Sequence, residues 1–516
     1  MGPARSDPGR TRPETPLVQR ALDSSLVVTL TALTASILDG GGFTDTWVIV
    51  VVLVAGLDLA LATALRPDRV VLVLKRPIVL ALMALTVAGT VSLLWNPLPA
   101  DDVLPGILMP AALAALVVYG SAVFPERRNV FLLWLALIAV LVAISGLFGV
   151  ASKSEIWAKV LGGTRRPAGT VEYSTALALL QVGAIVVLLR LAGTDRRSFR
   201  LVAVWGVALG LSSIVLTQNR LLGFATVLLL TICLIRPGFT LGLNRGVARI
   251  LITCSVIGGL ASAAVLGLSG PGAPSFVVAL LVAGGFAFGA VLVRQGEGRT
   301  TKPGAGQARR ALLVLGLLIV SATVLVVAND GTSRKGVQNN LGFTHGRVAT
   351  WVDSVPTFFR EPLMGHGHGT YLTATAMDLE APSRYAHNLL VESAVELGLI
   401  GLVAALVVIT DAFRLAWQRR TSFGDFPLVP YFLLFTGLLL TDWVWHMSAL
   451  SAIWALAAGA LLSSRQMSVS QSGYPPPKPS ARRAGAMARH ESVIRSSRRS
   501  GSIASRSIRT ALKPSK

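Results

Sequence analysis

The sequence predicts an all-α polytopic membrane protein of about 12–14 transmembrane helices, with a long extracytoplasmic loop before the last two or three spans. Three observations carry this prediction. The 516 residues are 53% hydrophobic and 14% charged, with a mean hydropathy of +0.65, whereas soluble proteins carry roughly 25% charged residues. Apolar runs of about 20 residues, the length that crosses the hydrocarbon core of a bilayer, recur along the chain. Lys and Arg concentrate in alternate loops.

Fourteen apolar runs fit membrane spans, although the first is short and only a few residues separate the last two. They lie at residues 24–38, 46–65, 77–95, 103–124, 130–150, 173–190, 200–217, 219–236, 250–269, 275–293, 311–328, 388–413, 427–445 and 448–464. The predicted organisation is a basic N-terminal tail (1–23), a bundle of about 11 spans (24–328), the outer loop (329–387), the C-terminal spans (388–464) and a polybasic tail (465–516). The composition of that tail predicts disorder.

The distribution of Lys and Arg sets the orientation. With the N-terminus inside, every inner loop is basic, whereas four of the seven outer loops hold no Lys or Arg. This asymmetry predicts a multi-pass protein of the cytoplasmic (inner) membrane with both termini cytoplasmic. Orientation therefore explains the net charge of +22, and no nucleic-acid partner is expected. The basic tail can instead contact anionic lipids of the inner leaflet.

Basic residues on the predicted outer side oppose the orientation rule, so they define the candidate site. An Arg at the edge of the hydrocarbon is costly without a partner. Snorkelling to headgroup phosphates, or an ion pair with Glu172, would satisfy a single one, but several clusters on one face predict a shared anionic ligand. The clusters are Arg165 and Arg166 before the span that opens at Glu172, the tight turn of Asn219 and Arg220, and Arg347 and Arg384 in the long loop.

Within the long loop, apolar residues recur at three- and four-residue spacing from Val348 to Phe359. This pattern predicts a short amphipathic helix that lies along the membrane interface. Pro362 and the glycines of the following MGHGHG segment end it.

The chain re-enters the membrane through a polar segment. His387 and Asn388 cap the next span, and Asn388, Glu392 and Glu396 are spaced by four residues. Such a stripe on a spanning helix should face the bundle interior or a wet cavity. His387 stands at the membrane edge, where an imidazole can exchange a proton near neutral pH.

Two further sets of polar residues receive weaker interpretations. Four of the six histidines fall in the long loop, but their spacing matches no metal-binding motif, so no metal and no other cofactor is expected. Asp442 and His446, four residues apart on a late span, are expected to pair with each other in a structural role.

The segments HGRVATWVDSVPTFFREPLMGHGHGTY and AHNLLVESAVELGLIG resemble the characteristic half of the O-antigen ligase/polymerase superfamily of membrane glycosyltransferases. RRPAGTVEYSTALALL and QNRLLGFATVLLL resemble the Arg-containing outer segments of the same family. The resemblance implies a GT-C-like fold. It also implies transfer of a glycan from an undecaprenyl diphosphate carrier to an acceptor hydroxyl on the outer face of the cytoplasmic membrane. The acceptor would be a glycan, a lipid or a protein. The span count exceeds the usual twelve or so, which leaves the role of the first spans open.

The resemblance also implies roles for the candidate residues. Guanidinium groups pair with phosphate through two parallel hydrogen bonds and stabilise a departing diphosphate. Arg166, Arg220 and Arg347 are the candidates for this role, with Arg220 and Arg347 as catalytic residues. His387 would be the general base or a hydrogen-bonding group for the acceptor hydroxyl, and Glu172 is the rival base. In-line displacement would invert the anomeric configuration. The expected substrate-binding residues are Arg165, Arg166, Asn219, Arg384, Asn388 and Glu392.

Three other functions compete with ligase-type transfer. A polysaccharide chain polymerase of the same superfamily would use the same donor. A polymerase of the cell-wall shape and division class would need an essential loop Asp, but Asp353 and Asp378 do not stand in that family's pattern. A transporter or flippase of lipid-linked sugars tends to show internal repeats and broken helices at mid-depth, and the sequence shows no such repeat.

Overall fold

The computed structural model describes residues 16–161, 164–193, 196–237, 241, 243, 245–268, 273–297, 347–376, 384–420, 422 and 426–472. The chain forms two compact units, residues 1–464 and residues 465–516. The first unit is a helical bundle; in the second, the described residues, 465–472, are helical. The predicted span at 311–328, and the parts of the long loop at 329–346 and 377–383, lie outside the described residues.

The described part of the chain is almost entirely α-helical, as predicted. Its helices are α1 (Pro16–Leu38), α2 (Asp45–Leu65), α3 (Pro67–Leu74), α4 (Pro77–Ser92), α5 (Ala100–Ser152), α6 (Ser174–Ala192), α7 (Arg197–Thr217), α8 (Arg220–Ile235), α9 (Arg245–Leu268), α10 (Ala273–Glu297), α11 (Arg347–Asp353), α12 (Val355–Arg360), α13 (Tyr371–Thr375), α14 (Leu389–Arg419), α15 (Val429–Leu438) and α16 (Ser448–Ser472). One antiparallel hairpin joins β1 (Ala158–Leu161) to β2 (Thr164–Pro167) between α5 and α6.

Eight of these helices are long and apolar enough to cross a membrane, namely α1, α2, α5, α6, α7, α9, α10 and α14, and α3 with α4 would make a ninth, bent by 74°. α8, α15 and the Ser448–Ser463 part of α16 are shorter apolar segments. α6 is buried along almost its whole length, whereas α2 exposes an apolar stripe of Ile49, Leu53 and Leu57. A core helix surrounded by helices with exposed apolar faces is the arrangement of a bundle in lipid. The chain is therefore an all-α polytopic membrane protein.

Two predicted boundaries are wrong. The predicted spans at 103–124 and 130–150 belong to one continuous helix, α5, which is about 80 Å of helix at 1.5 Å per residue. Arg127, placed by the sequence in a loop between them, is helical and pairs with Asp23 of α1. The predicted span at 427–445 is α-helical only over α15, ten residues long, and a turn with a short 3₁₀ segment follows at residues 439–447.

Candidate functional site

Asp442 is the centre of the candidate site. The turn between α15 and α16 buries its side chain to 3% exposure. Tyr173 Oη donates a 2.7 Å hydrogen bond to Asp442 Oδ1, Arg347 Nη2 lies 3.4 Å from Oδ2, and Arg347 Nη1 donates to Thr441 O. Burial opposes ionisation of Asp442, but the neighbouring His387, the Arg347 charge and the hydrogen bonds from Tyr173 and Trp443 N lower the pKa of this carboxyl below its usual value. The site therefore holds a buried carboxylate with several donors around it.

His387 lies beside this carboxylate. Asn388 caps α14, its side-chain oxygen accepting from Leu390 N at 2.9 Å and Val391 N at 3.3 Å, as predicted. The preceding His387 takes a left-handed backbone with φ of 54°, which is uncommon for residues other than glycine. Its Nδ1 is 3.7 Å from Asp442 Oδ1 and makes no hydrogen bond within the described residues. The imidazole is thus held beside the Asp442 carboxylate, with its Nδ1 buried.

The polar stripe on α14 faces inward, as predicted. Glu392 and Glu396 are 7% and 5% exposed. His446 Nε2 lies 2.7 Å from Glu392 Oε1, and Ala386 N donates to Glu392 Oε2 at 3.3 Å. One turn further along the helix, His368 Nδ1 lies 3.2 Å from Glu396 Oε2. Each buried carboxylate on the stripe therefore has an imidazole partner.

The expected pairing of Asp442 with His446 is wrong. Asp442 pairs with Arg347, and His446 pairs with Glu392. The prediction assumed a continuous helix that would place residues four apart on one face. In the structure these residues lie in a turn and a short 3₁₀ segment, Val444–His446, which send the two side chains to different partners.

Asn219 and Arg220 begin α8 next to this cluster. Asn219 caps the helix by accepting from Leu222 N at 3.1 Å, and its Nδ2 donates to Thr175 Oγ1 at 3.2 Å. Thr175 stands two residues after Tyr173, the donor to Asp442. Arg220 is exposed at the first position of the helix. The predicted tight turn of Asn219 and Arg220 is therefore linked to the Asp442 cluster by the start of α6, since Asn219 bonds to Thr175 and Tyr173 bonds to Asp442.

Arg165 and Arg166 lie on strand β2, at the side of the site. Arg165 donates to Lys153 O at 2.7 Å, and Arg166 stands opposite Lys159 in the hairpin. Glu172, also left-handed with φ of 54°, is 45% exposed and lies 3.7 Å from Lys159 Nζ. The hairpin and Glu172 therefore form a separate, more solvated edge of the site.

The segment predicted as one amphipathic helix forms two short helices, α11 and α12, with Ser354 in a turn between them. Its apolar face is exposed, with Val352 at 62% and Phe359 at 68%. The interface position remains a prediction. The MGHGHG segment that follows packs against α14, where His366 N donates to Val395 O at 3.0 Å and Gly367 N to Glu396 O at 2.9 Å.

Several site residues carried no predicted role in the site. Tyr385 stacks on His446 with ring centroids 3.8 Å apart and contacts Trp443 at 6.0 Å, and the Arg384 guanidinium lies 5.4 Å from the Tyr385 ring centre. Asp442, Tyr173 and Trp443 also belong to this group. A charged residue within an otherwise apolar late span was the available signal for Asp442.

Fold and site together define a polytopic membrane protein with a charged, imidazole-containing site at the connections between its helices. A sequence model of the family described as O-antigen ligase matches residues 256–406, a range that contains Arg347, His387 and Glu392. The predicted resemblance to the O-antigen ligase/polymerase superfamily is thereby confirmed over residues 256–406. At the level of the family this indicates glycosyltransferase-type activity on lipid-linked glycan and polysaccharide substrates. A comparison with curated proteins finds no match.

Proposed function

We propose that the protein is an O-antigen ligase-like glycosyltransferase that moves a glycan from undecaprenyl diphosphate to an acceptor hydroxyl at the outer face of the cytoplasmic membrane. The observation that carries the proposal is that two predicted catalytic residues from separate segments, Arg347 and His387, share Asp442 as a neighbour. A cation that can hold phosphate and an imidazole that can take a proton stand on either side of one carboxylate.

In the proposed reaction the acceptor oxygen attacks the anomeric carbon in line. The carbon–oxygen bond to the diphosphate breaks as the new bond forms, and its electron pair leaves with the diphosphate. Arg347 and Arg220 stabilise the departing charge, a role in which one positioned donor contributes about 3 kcal/mol. His387 takes the hydroxyl proton. Displacement from the opposite side inverts the configuration.

We assign the base to His387 and not to Glu172 because of their surroundings. The Glu172 side chain is 45% exposed, and its carboxylate lies 3.7 Å from Lys159 Nζ on the hairpin. His387 is half-buried, beside the Asp442 carboxylate that would stabilise the imidazolium formed when it takes a proton.

The test is transfer by purified protein reconstituted in vesicles with a lipid-diphosphate glycan. Arg220→Ala and His387→Ala should each lower the transfer rate at least roughly tenfold, since a general base or a positioned charge contributes this much or more. Arg360→Ala is the matched control, because Arg360 is an exposed arginine of the same long loop and should leave the rate unchanged.

Parent-level transfer by both site variants would refute the assignment of the site. Movement of lipid-linked sugar across the vesicle membrane, with no transfer to any acceptor, would replace the proposal with the transporter alternative. A chain polymerase would show the same donor dependence and differ in its acceptor, so competition between acceptors separates it from a ligase.

A further inference from the structure

Four aromatic rings from distant parts of the chain meet beside the candidate site. Trp443 contacts Tyr173 at 4.6 Å, Phe43 at 5.1 Å and Tyr385 at 6.0 Å between ring centroids, and the planes of Trp443 and Tyr385 differ by only 11°. We call these four rings the aromatic platform. Phe43 is 38% exposed and the other three are half-buried, so the platform is a surface that a ligand can reach.

Charged and polar groups lie next to the aromatic platform, on the side of the Asp442 cluster. Tyr173 Oη donates to Asp442, and the Tyr385 ring lies on the His446 imidazole, which pairs with Glu392. Rings that served only as a lipid-facing belt would place their faces against acyl chains, not against a buried carboxylate and an imidazole. Apolar faces with a few placed polar groups at their edge are the composition of a small-molecule site.

We propose that the aromatic platform binds a sugar ring of the acceptor, an inference that rests on the proposed glycan transfer. A pyranose has an apolar face of C–H groups and a rim of hydroxyls. The C–H face packs on the Trp443 and Tyr385 rings, while His446, whose side chain is 25% exposed, meets a hydroxyl at the rim. A serine or threonine of a protein acceptor offers no comparable apolar face.

The platform lies on the acceptor side of the site. Tyr385 precedes the proposed base His387 by two residues, and Trp443 follows Asp442 directly. A sugar on these rings presents a hydroxyl toward the base, whereas the arginines assigned to the donor diphosphate come from α8 and α11.

The first two helices contribute to this surface. Their connection, Gly40–Gly42, has three left-handed glycines and packs on the start of α16, where Ser448 Oγ donates to Gly42 O at 2.8 Å. A side chain at Gly42 would overlap Ser448 Oγ and Ser36 Oγ, so glycine is required for the close approach that places Phe43 against Trp443. The first spans, whose role the sequence left open, thus supply one wall of the acceptor subsite.

The experiment measures binding without any donor, so that it does not depend on transfer. Parent protein in lipid nanodiscs, free of glycoside detergents, is mixed with methyl β-D-glucopyranoside, methyl β-D-galactopyranoside and methyl α-D-mannopyranoside, and saturation-transfer NMR is recorded. At least one glycoside should receive saturation, chiefly at the protons of its C–H face. Phe43→Ala and Trp443→Ala should each lower the signal severalfold, and Trp443→Phe should retain it because the ring is kept.

Phe199→Ala is the matched control, since Phe199 is 43% exposed and lies 5.8 Å from the Arg196 guanidinium, on α7 and away from the platform. It should leave the signal unchanged. In the transfer assay, the two platform variants should raise the acceptor KM roughly 3- to 10-fold with an unchanged donor KM, the size expected for one aromatic contact.

The inference is overturned if no glycoside receives saturation from the parent, or if both alanine variants keep the parent signal. Saturation of a serine-containing peptide in place of the glycosides would also overturn it. If the glycosides bind at the platform and the parent transfers no glycan, the proposed function fails while the sugar subsite stands.

Discussion

Single carboxylates, more than the arginines that the sequence singles out, organise the site. Asp442 lies within contact of Tyr173, Arg347 and His387, and Glu392 pairs with His446. A buried carboxylate is costly unless charged or hydrogen-bonding partners surround it, so these groups fix the positions of the side chains around them. The imidazoles and Arg347 are consequently held in place before any substrate arrives.

His368 gives this network a pH dependence. Burial opposes its protonation, but the hydrogen bond and charge of Glu396, 3.2 Å away, raise the pKa of His368 above its ordinary value of 6.5. A raised folded-state pKa contributes stability that is complete below the unfolded value and is lost as the pH rises through the folded one. We therefore expect the melting temperature to fall by a few °C from about pH 6 to about pH 9.

Differential scanning fluorimetry of the protein in micelles measures this step. His368→Gln should lower the melting temperature at about pH 6 and remove most of the decline at higher pH. His366→Gln should keep the decline, because His366 Nε2 is partnered by the neutral Thr357 O at 3.0 Å. An unchanged decline in His368→Gln would show that other groups cause it.

Much of the site at this scale could be predicted, because misplaced charge is visible in a sequence. Arg347 was singled out in this way, and His387 and the α14 stripe were singled out as polar residues where the chain re-enters the membrane. Asp442 and Tyr173 were missed as site residues, since their meeting joins α6 to the turn after α15, 269 residues apart. Periodicity reports which residues share one helix face and carries no information about such a contact.

At the scale of secondary-structure elements, the break in α14 explains two glycine-containing motifs at once. Gly398 interrupts the helix with φ of 63°, which frees backbone groups that a continuous helix would pair. The turn after α12 pairs them, since Leu399 N donates to Pro362 O at 2.8 Å and Gly367 N donates to Glu396 O. The PLMGHGHG and ELGLIG segments therefore pack against each other through backbone hydrogen bonds.

We expect Gly398→Ala to destabilise the protein by roughly 1–3 kcal/mol. Its backbone conformation is one that side chains rarely adopt, and an added Cβ would lie 2.5 Å from Leu363 O and from its carbonyl carbon. Gly285→Ala is the control, because that glycine is helical with open space around it, where alanine is favoured. Thermal unfolding in micelles measures both, and equal melting temperatures would disprove the packing argument.

At the scale of the whole molecule, the site is assembled from segments that the sequence shows as unrelated outer loops. The connections after α1 and α5, the start of α8, the segment before α14 and the turn before α16 all contribute. Charge asymmetry could place these segments on one side, because alternate loops between spans share a face. Charge asymmetry could not show that the Asp442 cluster is central and the hairpin lies at the edge. That distinction depends on how α6 and α14 pack.

The orientation of the bundle is the remaining whole-molecule prediction. Ser152 and Ser198 are both exposed, and the sequence places Ser152 outside and Ser198 inside. In a background with Cys233 and Cys254 replaced by serine, Ser152→Cys should react with a membrane-impermeant maleimide on intact cells. Ser198→Cys should react only after the cells are opened. The reverse pattern would place the Asp442 cluster on the cytoplasmic face, where a glycan exported on its carrier lipid is out of reach, and the proposed reaction would then be untenable.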